Sequence, residues 1–419
     1  MRDGKRVWRR LLMSLLGITL MTGLGGSANK GGQASAKQGL VPGVIAAGFS
    51  HSLSLGPDGT VWAWGSNASG ELGIGTAGSA ATPLPVKISG LTDVVAVSAG
   101  HGFSLALRAD GTVWAWGKND QGQLGNGKVD AGATPVPGKV PGLTDVVAVS
   151  AGHSFASALR ADGTVWAWGN NRSGLLGVGS PSVLQVTAPA PVVGLSNVVS
   201  LAAAGGGYFL ALRSDGTVWA WGHNGGHQLG EGPTLGMVKR EPVQVKGLQN
   251  VVAISTGWAH ALALSADGTV WTWGNNAHGQ LGQLSPDINR AAVMAVPGLS
   301  DVVAIMAGPS SYRTLALRRD GTLWTWGMDR AGRAGNPPAP VQVPGLQDVV
   351  AVSSGTHALL LDKQGTLWGW GPNTAGELGD GTTQTRLMPV PVVGLSCRLP
   401  GGATGEPRAL ASRRCLGTP

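Results

Sequence analysis

One eight-residue segment, Asp-Gly-Thr-Val-Trp-Ala-Trp-Gly, constrains this chain more than any other feature. It stands at 58–65 and recurs at 110–117, 162–169 and 215–222. Variants follow at 267–274, 320–327 and 364–371, the last with Gln364 in place of the Asp. The first Trp of each copy falls at 62, 114, 166, 219, 271, 324 and 368. The steps are 52, 52, 53, 52, 53 and 44 residues, so there are seven units and the sixth is shortened. A fixed period of this kind marks a repeat architecture, in which no unit can bury its apolar faces alone.

Each unit reads as strands. Asp93 to Gly100 is β-branched and apolar and ends in small residues. Ser104 to Arg108 alternates with period two. Asp110-Gly111 supplies a tight turn, because both residues tolerate the positive φ that hairpins favour. Thr112 to Gly117 is the returning strand. Residues i and i+2 of a strand share a face, so Trp114 and Trp116 point one way while Val113 and Ala115 point the other. Both faces are apolar, which predicts a strand buried on both sides. A Gly-rich connection, 119–127, leads to a Pro-marked segment (Pro135-Val136-Pro137) that suits an outer edge strand.

Four-stranded units apolar on both faces must stack on their own kind. The reading is an all-β, seven-bladed β-propeller of four-stranded blades closed into a ring. It accounts for an odd composition of 16 Trp against 4 Phe and 2 Tyr. Two indoles per blade use fourteen of them: Trp62, Trp64, Trp114, Trp116, Trp166, Trp168, Trp219, Trp221, Trp271, Trp273, Trp324, Trp326, Trp368 and Trp370. Large rigid apolar rings are what blade-to-blade contacts need. An open solenoid would need distinct capping repeats, and units one and seven are as apolar as the rest.

The propeller is expected over 44–396. Before it, basic residues from Arg2 to Arg10 precede an apolar run from Leu11 to about Leu24, shorter than the roughly 20 residues of a membrane span. Ala34-Ser35-Ala36 matches a cleavage pattern, with Gly26-Ser27-Ala28 as a second candidate and a retained membrane anchor as the alternative. Residues 1–36 therefore read as an export signal and 37–43 as a short linker. No membrane span is expected once the signal is removed, and the expected location is secreted or extracytoplasmic. The tail, 397–419, holds both cysteines, Cys397 and Cys415. An exported chain can keep a disulfide between them; two free thiols are the alternative.

The formal charge of +8 misleads. Residues 1–37 carry +6 and 397–419 carry +3, so the body between them is −1. A nucleic-acid binder should show a basic patch on its folded domain, so no nucleic-acid partner is expected.

The repeated unit Val-Val-Ala-Val-Ser-Ala-Gly-x-x-x-Ser-Leu-Ala-Leu-x-x-Asp-Gly-Thr-Val-Trp-Ala-Trp-Gly-x-Asn-x-x-Gly-Gln-Leu-Gly resembles the regulator of chromosome condensation repeat family from about Val44 to Leu395. The resemblance implies a seven-bladed propeller. The founding member is a nuclear exchange factor for a small GTPase that also contacts histones. Its exchange activity depends on a protruding β-wedge and on acidic residues. The corresponding loop here, Ser180 to Pro189, is short and has no acidic residue. No catalytic residue carries over. Exported proteins of this fold include a bacterial β-lactamase inhibitor that docks through one face of its ring.

His51, His260 and His357 share a repeat position with Phe103, Phe155, Tyr208 and Arg313, which marks a packing site. His101 and His153 share another and are placed to meet across adjacent blades, but two His make a poor metal site. One Asp per hairpin cannot assemble the several oxygens that calcium needs. Neither cofactor nor metal is expected, and the chain reads as a non-enzyme.

What remains is surface. The loops before the Pro strands differ most between units. They offer Met237, Lys239 and Arg240 in the fourth unit and Asp287, Asn289, Arg290 and Met294 in the fifth. The sixth unit's loop, near Asn336-Pro337-Pro338, is nearly deleted and should leave a notch. Loops on a rigid scaffold are where binding residues concentrate. The expected function is a monomeric binding scaffold for an unidentified protein or surface glycan. The alternative is a regulator of a small GTPase.

Overall fold

The computed structural model describes residues 43–56, 58–179, 182–232, 237–283, 288–328, 338–396 and 416–417. The expected leader, most of the linker and both cysteines lie outside them. The described chain forms seven antiparallel sheets, each made from four consecutive strands in sequence order. Among the described residues the one helical piece is a 3₁₀ turn, Arg172–Gly174.

Blade 2 shows why the sequence folds this way. Its strands are Val94–Ala99, Phe103–Arg108, Val113–Asn119 and Asp130–Lys139. The third is buried along both faces, with Val113 and Ala115 on one side and Trp116 on the other. The fourth carries Pro135 and Pro137 and is mostly exposed, as suits a strand with one free edge. At the Asp110-Gly111 turn, the Thr112 hydroxyl and backbone N–H both donate to Asp110 Oδ1 at 2.6 and 3.0 Å. The Thr112 hydroxyl bond holds the Asp110 carboxyl below its usual range. The carboxylate serves the turn, and each such Asp is a whole repeat from the next.

The first strand of every blade touches that of the next, and the seventh touches the first. The ring is closed, with these strands lining its centre. Among the described residues no strand is exchanged to close it. Blade 1 comes wholly from the start of the propeller and blade 7 wholly from its end. The closing seam repeats the bonds of the others. Ala47 N–H donates to Ser353 Oγ at 3.0 Å, as Ala151 does to Ser98 and Ala203 to Ser150.

The two indoles of each pair have different surroundings. Trp64, Trp116, Trp168, Trp221, Trp273 and Trp326 are 0 % exposed and donate Nε1–H to a carbonyl of the preceding blade. Trp116 to Glu71 O is 2.8 Å, and Trp64 to Glu377 O, across the closing seam, is also 2.8 Å. The other indoles, such as Trp114, are half-buried near the hairpins. There Arg108, Arg160, Arg213 and Arg318 lie over Trp114, Trp166, Trp219 and Trp324 at 5.4–5.8 Å. One indole per blade is therefore the interblade cement. Its partner is nearer the strand end, where solvent reaches and a guanidinium can cover it.

Blade 6 has a two-residue fourth strand, Val341–Gln342, against seven to eleven residues elsewhere. The deleted loop thus shortens the edge strand, and most of the anticipated notch lies outside the described residues. At the chain end, Leu416–Gly417 adds a short fifth strand to blade 7, pairing with Ser396 and Leu395.

Candidate interaction face

Antiparallel order puts the turns between first and second strands on the same face as the connections between third and fourth strands. The Asp-Gly-Thr hairpins lie on the opposite face. The first of these faces collects the features that vary between blades.

At its centre, side chains from the inner turns meet over the channel. His101 and His153 stack with centroids 4.2 Å apart, as their repeat positions suggested. Phe49 meets His101 edge-on at 4.2 Å, and Trp258 meets His153 at 5.9 Å. Blade 3 thus reaches blade 5. Blade 4 likewise reaches blade 6, where Gly205 N–H donates to Pro309 O at 2.7 Å. All four rings are half-buried. The mouth is an aromatic floor, and no cluster of three or more His, Cys, Asp or Glu able to hold a metal occurs among the described residues.

Further out, a large apolar side chain immediately precedes the fourth strand in each of blades 3 to 5. Leu184, Met237 and Ile288 are 61, 70 and 62 % exposed. They occupy one place in three consecutive blades. Each carbonyl accepts the backbone N–H of the Asn two residues after the Trp-Gly: Asn171, Asn224 and Asn276. Monomeric proteins expose few large apolar groups together, and such clusters mark contact sites. Sequence reasoning selected Met237 and missed Leu184 and Ile288. Aligning the units on those Asn residues would have found both.

The polar candidates lie beside this row. Lys239 pairs with Gly222 of the third strand, and Arg290 with Gly274, so they too occupy equivalent places. Lys239 makes a 3.0 Å ion pair with Glu231. Arg240 is exposed. Asn289 accepts from Asn275 Nδ2 at 2.8 Å, and Arg290 turns its guanidinium to Met294 Sδ. Asp287 lies outside the described residues. Arg386 of blade 7, which sequence reasoning passed over, occupies the same place as Lys239 and pairs with Asp380 at 2.7 Å. His278 packs on Tyr312 at 4.4 Å and is half-buried.

Comparison with known proteins agrees with this architecture. Residues 22–356 match the profile of the RCC1-like domain, and 364–399 match the regulator of chromosome condensation (RCC1) repeat. The chain is 30 % identical to the ultraviolet-B receptor UVR8 of Arabidopsis thaliana over 375 residues, which is 87 % of this chain and 83 % of that one. It is 36 % identical to the human probable E3 ubiquitin-protein ligase HERC6 over 277 residues, covering 65 % of this chain but only 27 % of that longer protein. The solved structure of Prp20p from Saccharomyces cerevisiae superposes with a TM-score of 0.68 at 26 % identity, covering 81 % of this chain and 87 % of that one. With seven blades and a profile match over most of its length, the chain belongs to the RCC1-like family.

Proposed function

We propose that this chain is an exported, non-catalytic propeller that captures a partner protein on the face carrying the aromatic mouth. One observation carries the reading: Leu184, Met237 and Ile288 stand exposed in the same place on three adjacent blades. Lys239, Arg240 and Arg290 flank them, which gives the apolar row a basic border. Protein contact sites combine apolar centres with polar, Arg-containing rims. The likeness to Prp20p points the same way, since that structure was described together with binding to Gsp1p and histones. Export rests on the basic start, the apolar run from Leu11 and Ala34-Ser35-Ala36.

The experiment is capture of partners by the mature chain from secreted and envelope fractions. It is repeated with Met237→Glu and Ile288→Glu together, and with Val136→Glu on blade 2 as a control. Loss of the captured protein with the double variant only supports the reading. Equal capture by all three chains refutes it.

Regulation of a small GTPase is the second reading, and the likeness to Prp20p supports it. Against it stands blade 3, where most of the described part of the variable loop, Gln185 to Pro189, belongs to an ordinary fourth strand, Gln185–Pro191. Accelerated nucleotide release from a small GTPase would favour this reading over the first.

A further inference from the structure

Every seam between blades carries one wedge side chain at the head of a second strand. In seam order these are His51, Phe103, Phe155, Tyr208, His260, Arg313 and His357. His357 closes the ring, because it reaches from blade 7 to blade 1.

The three His wedges share a chemistry that the others lack. His51 Nε2 lies 2.8 Å from Ser104 Oγ, His260 Nε2 lies 3.0 Å from Thr314 Oγ1, and His357 Nε2 lies 2.6 Å from Ser52 Oγ. The hydroxyl always follows the next blade's own wedge. Where the wedge is not His, that place holds Ala156, Phe209, Ala261 or Ala358. Hydroxyls thus occur opposite all three His and opposite none of the other four, which marks the pair as a unit.

The protonation of the unit follows from counting donors. Each hydroxyl has one proton and gives it to a backbone carbonyl of the preceding blade: Ser104 to Glu71 O, Thr314 to Gln280 O and Ser52 to Glu377 O, at 2.7–3.0 Å. Each carbonyl also accepts an indole N–H, from Trp116, Trp326 and Trp64. The hydroxyl can then only accept from the imidazole, so Nε2 bears the hydrogen and Nδ1 is a bare lone pair. In all three His, Nδ1 is buried without a hydrogen-bond partner. A second proton on the ring would bury a charge with nothing to receive its new N–H.

We propose that His51, His260 and His357 are acid-released latches, and that proton uptake frees blade 1 first because it alone is latched on both sides.

The surroundings support this. Burial lowers His51 to about 4 against the opposing pull of the Glu71 carboxylate beside it. Burial lowers His260 to about 3. Burial, with His51 and Arg313 adding repulsion, lowers His357 to about 3. Glu377, whose carbonyl takes the Ser52 proton, has a carboxyl raised by burial. The Tyr208 hydroxyl, which donates to His260 O, is held protonated by burial. The sign follows. The folded values lie below the ordinary 6.5, so the latches hold in full above about pH 6.5. They weaken as pH falls, and the loss continues down to about 4 for His51 and about 3 for the others. Opening of a seam grows about tenfold per pH unit for each His it must charge, so blade 1, with two, gains about 100-fold per unit.

Amide exchange on the full chain between pH 7 and 5, corrected for intrinsic rates, reads this out. Protection in blade 1 should fall about 100-fold more than in blade 4 between pH 6 and 5. The fourfold variant His51→Phe, Ser104→Ala, His357→Phe, Ser52→Ala copies the Phe103 and Ala156 pairing of the 2–3 seam. It should abolish that difference. Parallel loss in blades 1 and 4, or an unchanged profile in the variant, overturns the proposal. Ring ¹⁵N shifts of the unmutated protein at pH 7 test it without substitution. An Nδ1–H tautomer at His51 or His357 would refute it, and an Nε2–H tautomer at both would support it.

Discussion

The guanidinium of Arg313 lies 4.4 Å from the indole centroid of Trp370, at the seam between blades 6 and 7. Elsewhere that wedge is an aromatic ring. Here a cation covers the one interblade indole that, among the described residues, does not bond to the preceding blade. Trp370 donates instead to Leu387 O of its own blade, at 3.0 Å, and is 6 % exposed where its six counterparts are 0 %. A buried cation–π contact of this kind is worth about 2 kcal/mol. Arg313→Ala should therefore lower stability by about that much, measured by denaturant unfolding. Arg313→Lys should recover little, because the planar stacking group is lost. Full recovery by Lys would mean that charge alone matters.

The two indoles of blade 2 should differ when truncated. Trp116→Ala empties a fully buried site and removes the bond to Glu71 O, which predicts about 3–5 kcal/mol. Trp114→Ala removes a half-buried ring and one exposed stacking contact with Arg108, which predicts about 1–2 kcal/mol. Equal losses in urea unfolding would contradict the division of roles.

Small residues at the ends of first strands make room for the wedges. A Cβ on Gly257 would collide with the His260 ring, and one on Gly100 with the Phe103 ring. Gly257→Ala and Gly100→Ala should each cost about 1–3 kcal/mol through overpacking. Gly90, on the opposite face, has nothing near its missing Cβ. Its positive φ of 76° means that Gly90→Ala is strained for backbone reasons alone, at about 1 kcal/mol. Calorimetric melting of the three variants separates the two causes.

Basic residues bordering the apolar row should set the rate of capture more than its final strength. Lys239→Ala, Arg240→Ala and Arg290→Ala together should slow association with the captured partner at low salt, with a smaller effect at high salt. Surface plasmon resonance at two ionic strengths checks this. A salt-independent rate in the unmutated protein would remove these residues from the contact.

Blade number, strand order and the hairpin turns were legible in the residues because they depend on short-range rules. Alternation along Ser104 to Arg108, apolar faces on both sides of Val113 to Trp116, and the Asp110-Gly111 turn all act within one unit. A unit so built has no stable existence unless stacked. What lies between units was hidden, because the partners are about a repeat apart and their meeting depends on how far the ring rotates each blade. His51 and Ser104 are both plain in the sequence, yet only packing shows that they touch. Packing alone separates Trp116, the cement, from Trp114, the rim. It also gathers Phe49, His101, His153 and Trp258 over one channel mouth and aligns Leu184, Met237 and Ile288 on one face. Local chemistry determined what each blade is. Ring geometry decided which of its side chains face a neighbour, the axis or the solvent.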